Sequence, residues 1–109
     1  MPAFVIVSID IHDPVMYERY KALAPSSIGV YGGKYLTRGG AVEVLEGQWT
    51  PRRFVILEFP SMEKAQAWHD SPEYAPARAL RDSCASTLML LAEGLATPFV
   101  PGPPAGGAA

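Results

Sequence analysis

The chain has 109 residues, 49% of them apolar, with 9 basic against 11 acidic side chains and a formal charge of −2. That length holds one domain and hardly two, and that apolar share specifies a packed core rather than a disordered chain. The charge balance gives no footprint for nucleic acid or an anionic membrane, and no apolar run approaches the roughly 20 residues that span a bilayer.

Residues 4–11, FVIVSIDI, are rich in Val and Ile and predict a strand. One face carries Val5, Val7, Ile9 and Ile11, and the other runs from Phe4 and Ile6 to Ser8 and Asp10. Asp13 can cap the helix that follows, with Pro14 at its first position. Met16, Tyr17, Tyr20, Leu23 and Ala24 then recur at helical spacing. Pro25 lacks an amide proton, so a break is expected there, with a second short helix reaching Ile28 and Tyr31. Gly32-Gly33 supplies the stop.

Residues 34–38 predict a strand, on which Lys34, Leu36 and Arg38 would share one face. Gly39-Gly40 predicts a bulge or bend, and residues 41–46, AVEVLE, a resumed strand. The loop GQWTPR leads to a third strand over residues 53–59. Trp49 in that loop suggests a contact with a partner chain. Ser61 caps the helical run MEKAQAWH, which Asp70-Ser71-Pro72 ends. Ser71 then caps a further helix carrying Tyr74, Ala77, Leu80 and Arg81. Residues 87–93, TLMLLAE, predict the last strand. A single domain over 1–96 is therefore expected, followed by a Pro/Gly/Ala-rich tail over 97–109 that can hold no regular element.

The order strand-helix-strand-strand-helix-strand is the ferredoxin-like α+β arrangement, an antiparallel sheet with helices on one face. Its first and third strands were expected to be parallel neighbours, which would bring Ser8, Asp10 and Glu58 together at one end of the sheet. Phe4, Ile6, Phe54, Ile56, Met89 and Leu91 were assigned to the sheet face without helices. That face is too apolar for water and calls for a twofold partner chain.

Asp13-Pro14 with Tyr17 and Tyr20, Leu23-Ala24-Pro25, YGGKYLTRGG from Tyr31, Glu43-Val44-Leu45-Glu46-Gly47 and LEFPSMEKAQAWHDSPEY from Leu57 together resemble bacterial domain-of-unknown-function family 1330. The resemblance covers roughly residues 2–95. It implies a dimeric α+β barrel, in which two ferredoxin-like sheets close around a shared interior, and it implies no activity. Similar folds include cofactor-free monooxygenases, muconolactone isomerases, haem-handling enzymes and non-catalytic stress proteins, and fold does not fix function.

The glycine-rich block is not a phosphate loop, because Tyr35 follows Lys34 and a strand follows in place of a helix. Lys34 and Arg38 can meet an anionic ligand, or serve as a charged sheet edge that discourages aggregation. Asp10, His12 and Glu58 are the candidate catalytic residues: paired carboxylates can share a proton, and histidine can shuttle one near neutral pH. The alternative is a solvated strand end, with Glu58 paired to Lys34 or Arg38. Tyr31 and His69 join Lys34 and Arg38 as candidate ligand contacts. The two histidines lack metal-ligand spacing, so neither a metal nor a tightly held cofactor is expected. Cys84, the single cysteine, has no histidine beside it and is expected to be buried and structural. One unpaired cysteine and an N-terminus without a basic segment point to the cytoplasm. Two readings stay open. In one, a homodimer binds or transforms a small anionic or aromatic molecule, Asp10 or His12 taking a proton and Arg38 steadying the anion. In the other, the dimer is a non-catalytic module.

Overall fold

The computed structural model describes residues 1–104; part of the expected tail, 105–109, lies outside the described residues. Seven elements follow one another: β1 (Ala3–Ile11), α1 (Pro14–Val30), β2 (Lys34–Arg38), β3 (Arg53–Phe59), α2 (Met62–His69), α3 (Ala75–Cys84) and β4 (Ala85–Glu93). The strands form one sheet in the order β2-β3-β1-β4. Every neighbouring pair is antiparallel. This is the α+β, ferredoxin-like arrangement that the element order predicts.

The alternation of β1 sets the layers. Ala3, Val5, Val7 and Ile9 are buried under the helices, together with Val55, Leu57 and Phe59 of β3. Opposite them in register, Met89 and Leu91 of β4 pack against the same core. The expectation that Met89 and Leu91 lie on the open face is therefore corrected. Leu88 and Leu90 take that place, 74% and 66% exposed. They stand beside Phe4, Ile6, Phe54 and Ile56 on a face that no helix covers.

Direction is the second correction. β1 and β3 run antiparallel, not parallel, with Phe4 opposite Glu58 and Ser8 opposite Phe54. The chain crosses from β1 to β2 through α1 and then reverses through the β2–β3 connection, so β3 must oppose β1.

α1 is continuous where a break was expected. Asp13 caps it by accepting from the Met16 amide at 3.2 Å, and Pro14 occupies its first turn. Pro25 sits inside it. The helix tolerates the proline because only one carbonyl, that of Lys21, loses its donor. The stop falls at the predicted glycines: Gly32 takes φ +77°, and the Gly33 amide returns to the Ile28 carbonyl at 2.9 Å.

β2 is interrupted. Tyr35 pairs with Leu57 but Thr37 pairs with Ile56, so Leu36 is the extra residue of a bulge. Gly39, at φ +73°, then turns the chain out of the sheet, and residues 39–52 form neither helix nor strand. The strand expected over 41–46 is absent, because β-propensity acts only where a partner strand lies alongside. Val42, Val44, Leu45 and Trp49 are left exposed. β4 begins two residues earlier than expected, directly after α3.

The core centres on Trp68. Its ring lies 4.2 Å from that of Tyr74 and 5.3 Å from that of Phe59, centroid to centroid. Its indole Nε1 donates to Ser27 Oγ at 3.1 Å, and Ser27 Oγ donates to the Ala24 carbonyl at 2.7 Å. Ser71 joins α2 to α3: its hydroxyl donates to the Trp68 carbonyl at 2.7 Å and accepts from the Tyr74 amide at 3.0 Å. Trp68→Ala is expected to cost about 3–5 kcal/mol in urea denaturation. Ser27→Ala, which leaves the indole N–H without a partner, is expected to cost about 1–3 kcal/mol.

Candidate functional site

The antiparallel pairing separates the predicted carboxylates. Glu58 stands opposite Phe4, and Asp10 stands opposite Ser86 at the other end of β1. Phe4 and Asp10 are six steps apart along the strand, about 20 Å at the usual rise. Asp10 and Glu58 therefore do not converge. Glu58 meets Lys34 instead, Oε2 to Nζ at 3.3 Å. His12 remains at the Asp10 end, where its Nε2 lies 2.8 Å from Ser86 Oγ. The Tyr31 hydroxyl donates to Glu73 at 3.0 Å. His69 lies 3.4 Å from the Asp70 carboxylate, and its carbonyl accepts from Arg78 at 3.1 Å.

Lys34 and Arg38 do not share a face either. The bulge at Leu36 reverses the alternation, so Lys34 stays with Glu58 on the open face while Arg38 falls opposite buried Val55. Arg38 thus turns toward α1. Its Nη2 donates to the Lys21 carbonyl at 3.0 Å, and its guanidinium lies 4.6 Å from the centre of the Tyr35 ring.

A cavity of about 30 Å³ lies there, between α1 and the helix-covered face of the sheet. Its polar lining comes from Tyr17, Tyr20, Lys21, Tyr35, Arg38 and Arg53, and its walls include Val7, Ile9, Val55, Leu57 and Trp68. Three cationic side chains border it; Lys21 is paired with the Glu18 carboxylate at 2.9 Å, which leaves Arg38 and Arg53 unopposed by an acid. Among the described residues no carboxylate is in ion-pair contact with Arg38 or Arg53. Arg53 lies 5.4 Å from the centre of the Tyr17 ring, and its buried Nε has no hydrogen-bond partner. Gly39 makes room for it, since a Cβ at that position would strike the Arg53 guanidinium.

Behind the cavity most polar groups are paired with one another, although the buried Arg81 Nε has no partner. Arg81 is buried; its Nη1 donates to the Tyr74 hydroxyl at 2.9 Å and its Nη2 to Asp82 at 3.0 Å. The Tyr74 and Tyr20 hydroxyls share a hydrogen bond of 2.9 Å. Burial raises the phenols of Tyr17, Tyr20, Tyr35 and Tyr74 above their ordinary pKa; Arg53 opposes the shift at Tyr17 and Arg38 at Tyr35. These groups are neutral donors at physiological pH rather than bases. The wall can therefore attract an anion and donate hydrogen bonds to it. Burial also pushes the Cys84 thiol up, as suits a packing residue. Among the described residues no group of three His, Cys, Asp or Glu side chains could hold a metal ion. No described helix is long and apolar enough to cross a membrane.

Arg38 is the one predicted site residue on this wall. Arg53 was missed, although it shares the parity of Val55, Leu57 and Phe59 and so had to begin on the buried face. A cation on an otherwise apolar strand face was the readable signal.

The phenols also set a pH dependence. The unfolded chain releases its tyrosine protons near pH 10, whereas the folded chain holds them. The native state then binds more protons, so stability falls as pH rises above about 10 and is unaffected by these groups below it. Absorbance at 295 nm should show most of the tyrosines ionising together with unfolding, and not as free phenols in the folded protein.

The family profile described as a domain of unknown function, DUF1330, matches residues 2–95. A comparison with curated protein sequences returned no match. Among solved structures, a protein of unknown function from Rhodopseudomonas palustris is similar at a TM-score of 0.72 and 17% identity, over 88% of this chain and 84% of that one. SnoaB, a cofactor-independent oxygenase from Streptomyces nogalater, is similar at 0.61 and 10% identity, over 88% and 95%. A dimeric ferredoxin-like protein of unknown function from Jannaschia sp. CCS1 follows at 0.60 and 11%, over 86% and 100%. At these identities the structures share the fold. With the family profile spanning nearly all of β1 to β4, the chain belongs to the DUF1330 family of ferredoxin-like α+β proteins.

Proposed function

We propose that the protein is a homodimer that binds a small organic anion, aromatic in part, in the cavity between α1 and the sheet. The observation that carries this reading is the lining itself: Arg38 and Arg53 with three tyrosines, and among the described residues no carboxylate in contact with either arginine. An obligate cation such as arginine is seldom placed at a cavity wall without an acid to meet it. Apolar walls with a few convergent polar groups are the usual composition of a small-molecule site. Binding needs no tightly held cofactor on this reading. The similarity to a cofactor-independent oxygenase is compatible with chemistry on such a ligand. Asp10, His12 and Glu58, being dispersed, take no part in the reading. The single cysteine, buried and reduced, fits a bacterial cytoplasm.

Dimerisation is supported by the open sheet face. Phe4, Ile6, Phe54, Ile56, Leu88 and Leu90 leave an apolar surface that a second copy would cover, and similar proteins are dimeric. Trp49 packs edge-on to Phe54 at 5.9 Å and borders that face.

A second reading has its own observation. At about 30 Å³ the cavity has room for only one or two waters, which favours a non-catalytic dimeric module that takes no ligand.

Calorimetric titration with benzoate and 4-hydroxybenzoate separates the two. The first reading expects saturable binding, weakened about tenfold in Arg53→Gln through loss of a charge-assisted bond; no binding to the wild type supports the second. Light scattering at micromolar concentration is expected to give a dimer for the wild type and a monomer for Ile6→Asp. A monomeric wild type contradicts the dimer.

A further inference from the structure

We propose that Arg38 is a latch that selects acids: it rests on a backbone carbonyl in the free protein and transfers its hydrogen bond to the acid group of the ligand. The proposal rests on the reading that the cavity between α1 and the sheet is the binding site.

Two features bring Arg38 to its position. Pro25 has no N–H, so the Lys21 carbonyl, four residues earlier in α1, has no helical donor. The bulge at Leu36 turns Arg38 toward α1 instead of leaving it beside Lys34 on the open face. Arg38 Nη2 then donates to the Lys21 carbonyl at 3.0 Å, while the guanidinium covers the Tyr35 ring at 4.6 Å. Lys21, Tyr35 and Arg38 all line the cavity, so this contact forms part of its wall.

The contact is well suited to exchange. A permanently charged guanidinium is held by a neutral carbonyl and an aromatic face, with no carboxylate among the described residues in contact with it. A carboxylate brings a full opposite charge to the guanidinium and offers two oxygens to its planar fork, where the carbonyl offers one. The side chain is exposed, so it can turn without disturbing the core. Opening the latch also enlarges a space that is otherwise too small for a ring. The ligand class that fits is a small planar aromatic acid, its ring against Tyr35 and Tyr17 and its carboxylate on Arg38, with Arg53 as the second cation. A neutral ring of the same shape gains nothing from the exchange.

Pro25 makes the mechanism separable. Pro25→Ala restores the helical N–H, which competes for the Lys21 carbonyl and releases Arg38 without altering the cavity wall. Alanine is also the better helix former, so the variant is expected to fold. Calorimetry with benzoate and its neutral counterpart benzamide reads the outcome in wild type, Arg38→Gln, Pro25→Ala and the double variant, with circular dichroism confirming the fold of each. Wild type is expected to prefer benzoate. Arg38→Gln should weaken benzoate about tenfold and leave benzamide unchanged. Pro25→Ala should tighten benzoate several-fold, and the double variant should lose that gain. If wild type binds benzoate but Pro25→Ala does not tighten it, the latch is overturned and the cavity reading stands. If wild type binds both compounds alike, the selection of acids is overturned. If wild type binds neither, the cavity reading fails and the latch fails with it.

Discussion

Strand β1 is apolar along one face and over the first half of the other, and most of the molecule follows from that. A strand of this kind cannot lie at an edge, where backbone and side chains meet water. It lies inside the sheet, with β3 on one side and β4 on the other. Its Ala3, Val5, Val7 and Ile9 face draws the helices down through Trp68, Tyr17 and Ile28. Its other face, with the half-buried Phe4 and Ile6, is covered by no helix of the same chain. Burial of one face thus builds the domain, and exposure of the other creates the demand for a partner.

The helix-covered interior is less uniform than its apolar strands suggest. It contains phenols, an indole N–H, a serine hydroxyl and the Arg81 guanidinium, and most of these are satisfied by one another. A largely paired network of this kind rigidifies the region where α1, α2 and α3 meet, with Arg81 Nε left over. At the cavity Arg53 Nε has no partner, and Arg38 is held by the Tyr35 ring and a carbonyl that a proline left vacant. What distinguishes the cavity is that neither of its arginines meets a carboxylate, whereas Arg81 is paired with Asp82.

Three sequence features that look like defects act together at that place. Pro25 interrupts the hydrogen bonding of α1, Leu36 interrupts the ladder of β2, and Gly39 bends the chain beside Arg53. Each is mildly unfavourable for its own element. Together they aim one arginine, free a carbonyl for it and make room for a second arginine. Local rules broken in one neighbourhood are expected at functional or strained sites.

What the sequence determined by itself was the order of the principal elements and the parity of β1 and β3. Those depend on local chemistry: β-branched alternation in β1, Asp13 and Ser61 as caps, and glycine at the left-handed end of α1. The same information sufficed for the ferredoxin-like fold and for the apolar open face. Tertiary structure alone decided where charged groups meet. The direction of β3 against β1 moved Glu58 away from Asp10, and one bulged residue moved Arg38 away from Lys34. Pairing direction and register are set between segments distant in the chain, and the side-chain period of two makes a single extra residue reverse every later face. The residues 41–46 show the same limit from the other side: their alternation is strand-like, but a strand exists only when another lies beside it.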